Sequence, residues 1–158
     1  MSTGTKVLIG CACVAGAGIC FMALIVALFV YAAGDIEGVT VTINAPMEVV
    51  KGEEFALVVN IQNTRASKPL KVSSIDIAED YLQGFFFVSS DPTAKSSEHV
   101  PFDNSRSFKF DLEVPPGQTT AVTFNLRPTQ AGVYRGDLDV CEGMRFTTTL
   151  AQTSVTEQ

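Results

Sequence analysis

The run from Val7 to Ala33 carries no charge and no proline, and only six residues precede it. As a helix rising about 1.5 Å per residue it reaches roughly 40 Å, more than the roughly 30 Å hydrocarbon core of a bilayer. The apolar stretch of a secretory signal is only about 7–15 residues long. The run therefore reads as one uncleaved transmembrane helix. Cleavage after Ala32, with Val30 and Ala32 as the small residues before the cut, is the other outcome the sequence offers, and it releases a secreted domain. Lys6 and the α-amine precede the run, whereas Asp35 and Glu37 follow it. Positive charge stays in the cytoplasm, so residues 1–6 are expected inside and residues 34–158 outside, in the periplasm or at the cell surface.

Within the run, Leu8-Ile9-Gly10-Cys11 matches the local pattern of a lipoprotein cleavage box. Only Val7 to Ile9 precede that cysteine as an apolar region, so cleavage there makes little physical sense. Cys11, Cys13 and Cys20 read as small packable residues in lipid, with acylation near the cytoplasmic end as an option. Gly10, Gly16 and Gly18, with Ala12 and Ala17, present small faces through which two such helices can self-associate.

Past the run lies enough chain for one domain with its own core. All 17 acidic residues fall there, with all but one of the 11 basic residues, which argues against nucleic acid as a partner. Cys141 is the sole cysteine of this portion, so an internal disulfide is impossible; pairing between two chains is the remaining route. No Asn-x-Ser/Thr glycosylation site occurs.

After a polar joint at 34–38 the apolar period switches to two, the mark of half-buried strands. Val39, Val41 and Ile43 alternate until Ala45-Pro46; Phe55, Leu57, Val59 and Ile61 form the clearest early strand. Leu70, Val72, Ile75 and Ile77 change phase at Ser73-Ser74, where a bulge is expected. Glu79 to Gln83 is read as a helical turn, Phe85 to Val88 as a continuous apolar strand, and Asp91 to Pro101 as irregular. Phe108 to Val114, Val122 to Leu126, Tyr134 to Val140 and finally Phe146, Thr148 and Leu150 alternate across turns at Pro115–Gln118, Pro128–Gly132 and Glu142-Gly143. About seven short strands at this spacing predict an all-β antiparallel sandwich over 39–155, with 156–158 as a tail.

Three pieces carry a resemblance: Lys51-Gly52-Glu53-Glu54-Phe55 running to Asn60-Ile61-Gln62-Asn63-Thr64, then Val114-Pro115-Pro116-Gly117-Gln118, then Ala131-Gly132-Val133-Tyr134-Arg135-Gly136. In this order the chain resembles bacterial immunoglobulin-like domains of surface and periplasmic proteins, including adhesion-related and arrestin-like sandwiches. The resemblance implies a corner tyrosine at Tyr134, its hydroxyl bonded to backbone just upstream. Gly136 stands where antibody domains carry a cysteine, and the chain has no tryptophan.

No residue set points to catalysis. His99 is the only histidine, no Gly-x-Ser-x-Gly elbow exists, and neither an enzyme nor a bound cofactor is expected. Cys141 and Met144, with His99, are the soft-ligand candidates for a copper-handling domain, although copper electron-transfer sites use two histidines. Asp137, Asp139 and Glu142, and separately Asp76, Glu79 and Asp80, are calcium candidates set against a plain solvated face. Phe85, Phe86, Phe87 and Val88 are the candidates for partner binding. A sandwich strand buries one face only, so two of the four need another cover, either the Asp91–Pro101 loop or a docked protein. The functional expectation is a membrane-anchored, non-enzymatic domain that binds another protein or supports an envelope complex, with copper handling as the alternative.

Overall fold

The computed structural model describes residues 21–27 and 34–157. Of the apolar run, residues 21–27 are helical with exposed side chains; the remainder of the expected transmembrane helix lies outside the described residues, as do residues 1–6 and the cysteines at 11, 13 and 20. Among the described residues no helix is long and apolar enough to cross a membrane. The chain divides between Gly34 and Asp35, and every described strand belongs to the second unit.

Alternating apolar side chains build ten strands: β1 (Val39–Asn44), β2 (Glu48–Val50), β3 (Phe55–Asn63), β4 (Leu70–Ala78), β5 (Phe85–Asp91), β6 (Ser96–Val100), β7 (Ser105–Val114), β8 (Thr119–Pro128), β9 (Gly132–Glu142) and β10 (Arg145–Thr156). They form two sheets, ordered β1-β3-β8-β5 and β2-β10-β9-β4-β7-β6. The pairings are antiparallel apart from β2 with β10, where the chain changes sheets after Ala45-Pro46-Met47. Leu57, Val59 and Ile61 of β3 and Val122, Phe124 and Leu126 of β8 face Val72, Ile75, Ile77, Phe108, Leu138 and Val140 of the other sheet, all buried. The expected change of phase in β4 is a bulge between Val72 and Ser74, and the expected helical turn spans Glu79–Leu82.

The described strands number ten where about seven were expected, and two further expectations fail here. Ser96–Val100 is a strand, not irregular chain; its Ser-Ser-Glu-His-Val sequence has no apolar alternation because β6 is a sheet edge held by backbone pairing to β7. In β10, Phe146 and Leu150 lie on the outer face, while Ala151, Thr153 and Val155 face inward. A threonine is tolerated inside because its hydroxyl meets that of Tyr81 at 3.0 Å.

The corner tyrosine is present: the Tyr134 hydroxyl donates to the Gln130 carbonyl at 3.0 Å. At the other end of the sandwich, the joint is fastened down. Ile36 is buried in the core, Asp35 bridges to Phe146, and the Thr64 amide donates to Gly38 O at 2.8 Å. Arg65 donates through Nε to Glu37 O at 2.9 Å and through Nη2 to Glu142 Oε2 at 2.7 Å. That arginine, helped by the Lys71 amide, holds the Glu142 carboxyl below its ordinary range. A depressed folded-state pKa gives stability that is present above the ordinary carboxylate range and is lost as pH falls through the folded value. Glu142→Gln is therefore expected to cost about 1.5 kcal/mol at pH 7, between values for surface and buried pairs. The difference should shrink toward pH 3 in urea titrations; an equal cost at both pH values would contradict the role of the ion pair.

Candidate functional site

Strand β5 is an edge: it pairs with β8 on one side only. The alternation of a strand splits its four leading apolar residues into two fates. Phe85 turns inward and packs against Phe55, Tyr81 and Tyr134, with ring centroids 5.0 to 5.3 Å apart. Phe87 also turns inward, 4.9 Å from the Phe108 ring, and is half-buried. Phe86 and Val88 point out, 59% and 36% exposed. A register shift between Phe87 and Ser89 makes Val88 the bulged residue.

Of the two covers expected for this pair, the Asp91–Pro101 segment leaves Phe86 open and only lines a cavity beside Val88. Its strand β6 joins the opposite sheet, and the residue it does fold inward, Ala94, donates its amide to Ser90 Oγ at 2.9 Å. Two cavities open between β5 and the β6–β7 edge, one on each side of Phe87. One, of about 290 Å³, is lined by Glu79, Leu82, Phe86, Phe87 and Arg106. The other, of about 280 Å³, is lined by Phe87, Val88, Thr93, Ala94, Ser97 and Phe108. Leu82 and Ala94 flank β5 closely in the chain, whereas the contribution of Arg106, from β7, is not readable from sequence. Arg106 Nε and His99 Nδ1 lie 3.2 and 3.4 Å from Glu79 Oε1, so charge at this mouth is locally paired.

The metal candidates are not drawn together. Cys141 has the outward parity of Asp137 and Asp139 on β9, whereas His99 has the parity of Ser97, which pairs with buried Phe108. Met144 sits in the β9–β10 turn, 59% exposed. Glu142 shares the inward parity of Leu138 and Val140 and is taken by Arg65, so it does not join Asp137 and Asp139. Asp76 and Asp139 are cross-strand neighbours on the outer face, but their carboxylates accept the Ser107 and Thr148 hydroxyls, and Glu79 is engaged by Arg106. Among the described residues no three His, Cys, Asp or Glu side chains converge in a way that could hold a metal ion.

Cys141 itself is buried, its thiol donating weakly to Asp76 Oδ2 at 3.6 Å. Burial foremost, and then the Asp76 charge, push its pKa up to about 12. A thiolate is the reactive form, so alkylation of Cys141 at pH 8 should run about a thousandfold slower in the folded chain than in urea. Peptide mass spectrometry after timed iodoacetamide treatment reads this directly. Rapid modification of the folded chain would contradict the burial, which also disfavours pairing between chains through this residue.

No protein-family model matches this chain, and no curated protein matches it in sequence. Among solved structures it is similar to a part of the native alpha-2-macroglobulin of Escherichia coli, at 16% identity and a TM-score of 0.52, over 77% of this chain and 7% of that one. It is also similar to a cohesin module from a Clostridium perfringens family 33 glycoside hydrolase, at 16% identity and a TM-score of 0.49, over 77% and 97% of the two chains. A CARDB domain from Pyrococcus furiosus follows at 20% identity and a TM-score of 0.44, over 76% and 94%. The likeness is one of fold: residues 35–157 form an immunoglobulin-like β-sandwich. The chain spans only a small fraction of the macroglobulin.

Proposed function

We propose that this chain is a single-pass membrane-anchored protein whose extracytoplasmic sandwich binds an extended segment of another protein along β5, without catalysing a reaction. The observation that carries this reading is the pair Phe86 and Val88, outward-facing and apolar on a strand with one open edge, flanked by two cavities. Native edges are blunted by shortness, charge or bulges because an open strand invites pairing. Strand β2 has three residues, β6 carries Glu98 and His99, and β1 exposes only Thr40, Thr42 and Asn44. Strand β5 opens with Phe-Phe-Phe-Val, meets its first charge only at Asp91, and carries its bulge at Val88, so Phe85–Phe87 form the regular part of the open edge. An added strand would pair with this backbone and place alternate apolar side chains beside Phe86 and over the cavities.

The test is photo-crosslinking in intact cells with a benzoylphenylalanine placed at position 86 of the full chain. One protein adduct is expected from position 86 and none from the same residue placed at position 102. Val88→Asp should reduce that adduct at least tenfold, about 1.4 kcal/mol of binding. Because Val88 is outward-facing, its melting temperature should stay within about 2 °C of wild type. Equal adducts from both positions, or an adduct indifferent to Val88→Asp, would reject the edge as the binding surface.

A further inference from the structure

We infer that the segment β5 receives is a fifth strand of its sheet, apolar at alternate positions and carrying lysine or arginine at the end that passes the Glu79–Leu82 turn. This rests on the reading of β5 as a binding edge. The two sheets are unequal. Phe87 of β5, the last strand of its sheet, packs over Phe108 of β7 with ring centroids 4.9 Å apart. Strand β6 continues the other sheet beyond β7, past the end of the four-stranded one. Ser97 and His99 pair with Phe108 and Arg106 and share their inward parity, yet both are exposed. A strand added beside β5 therefore lies over β6, with one set of its side chains directed between the sheets. Alternate residues of a strand stand about 6.6 Å apart, the step that carries one side chain past each flank of Phe87. The cavity of about 280 Å³ on one flank is walled by Phe87, Val88, Ala94 and Phe108 with serine and threonine residues and holds no charge, so it suits an apolar side chain. On the other flank Leu82, Phe86 and Phe87 line the cavity of about 290 Å³, and the charges there, Glu79 and Arg106, already satisfy each other.

Charge sets the direction. Around the Phe85 end of β5 the cations are engaged: Arg106 with Glu79, which His99 shares, Arg127 with Glu54, and Lys51 with Glu157. Arg135 and Asp137, same-face neighbours on β9, offset each other. Glu53, Asp80, Glu98 and Asp103 remain, with no ion pair among the described residues. At the Asp91 end Lys95 meets Asp111, and Lys109 offsets Asp91. The groove is thus acidic at one end and near neutral at the other. Complementary potential steers an incoming segment and fixes its register, so the basic residue of the partner belongs at the acidic end.

The probes are fluorescein-labelled peptides with the core Thr-Val-Thr-Leu-Thr-Val-Thr, flanked at both ends by paired lysines or by paired glutamates. They are titrated by fluorescence anisotropy against the full-length chain in phosphatidylcholine nanodiscs, whose zwitterionic lipid attracts neither peptide. Flanking both ends makes the result independent of strand direction. The lysine peptide is expected to bind at least about tenfold tighter than the glutamate peptide, the gap closing as salt approaches about 0.5 M. Asp80→Lys with Glu98→Lys, both at exposed positions, should cut that preference at least about threefold. Ala94→Leu fills the uncharged cavity and should weaken the lysine peptide about tenfold, with the melting temperature held within about 2 °C. A lysine peptide with its three apolar residues placed side by side should bind about tenfold more weakly than the alternating one. Equal binding of the lysine and glutamate peptides would overturn the basic end. Indifference to Ala94→Leu and to the order of the apolar residues would overturn the alternation. Failure of every peptide to bind at about 1 mM would overturn the inference as a whole. The position-86 adduct in cells separates the two readings: an adduct without peptide binding rejects only this partner chemistry, and loss of both rejects the edge.

Discussion

Asn63→Asp is expected to destabilise the sandwich by about 4 kcal/mol at pH 7, lowering its melting temperature by roughly 15 °C. The side chain is fully buried, and its Nδ2 donates to Lys68 O and to Val114 O, both at 2.9 Å. Its Oδ1 accepts the Arg65 amide at 3.2 Å. One amide thus ties the end of β3, the loop after it and the end of β7, three pieces of chain that backbone pairing alone does not join. Aspartate keeps the shape and the acceptor but removes both donated bonds, and it sets a carboxylate against two carbonyl oxygens. Burial and those carbonyls raise the folded-state pKa of the new carboxyl above its unfolded value. The penalty is then absent below the ordinary carboxylate range and grows as pH rises through the folded pKa. Measured against wild type, the variant should lose much less stability at pH 4 than at pH 7. A pH-independent loss would mean that the amide is not acting as a buried donor.

Gly84→Ala is the second large effect, about 3 kcal/mol, from overpacking rather than from lost hydrogen bonds. A Cβ at position 84 would lie 2.4 Å from Cε2 and Cζ of Tyr134 and 2.6 Å from Cδ2. The ring has little freedom to retreat. Its hydroxyl is bonded to Gln130 O, its face is held by Phe85 5.2 Å away, and Gly132 backs the hydroxyl. Gly84 itself is pinned, its carbonyl accepting the Thr129 amide at 2.9 Å. In a double-mutant cycle, Gly84→Ala should cost far less in a Tyr134→Ala background, a coupling of at least about 1 kcal/mol. Additive losses in urea melts would show that the methyl group clashes with something other than the corner tyrosine.

These two residues mark where sequence reading stops. Alternation exposes β3, β7, β8 and β9 because each buries one apolar face, and the corner tyrosine is implied by the resemblance to immunoglobulin-like domains, its hydroxyl meeting Gln130 O. The partners of Asn63 and Gly84 are brought in by the fold from 51 residues away for Val114 and from a later strand for Tyr134. Nothing local announces such contacts. Strand β6 was missed because an edge strand needs backbone pairing and no apolar period. The inward face of β10 was misassigned because Thr149, Ala151 and Thr153 are less apolar than the outward Phe146 and Leu150. For the candidate site, the excess of apolar residues at 85–88 was visible. Whether the outward pair is covered depends on the sheet that β6 joins.

The proposed function depends on the apolar run holding the sandwich on the outer side of a membrane. The most direct measurement labels a full-length Phe102→Cys chain in spheroplasts with a membrane-impermeant maleimide, then washes the membranes in alkaline carbonate. The wild-type chain, whose Cys141 is buried, gives the background. The introduced thiol at position 102 is expected to be labelled before lysis, and the labelled full-length chain to remain in the pellet. Labelling only after lysis, or release of the chain by carbonate, would contradict that topology.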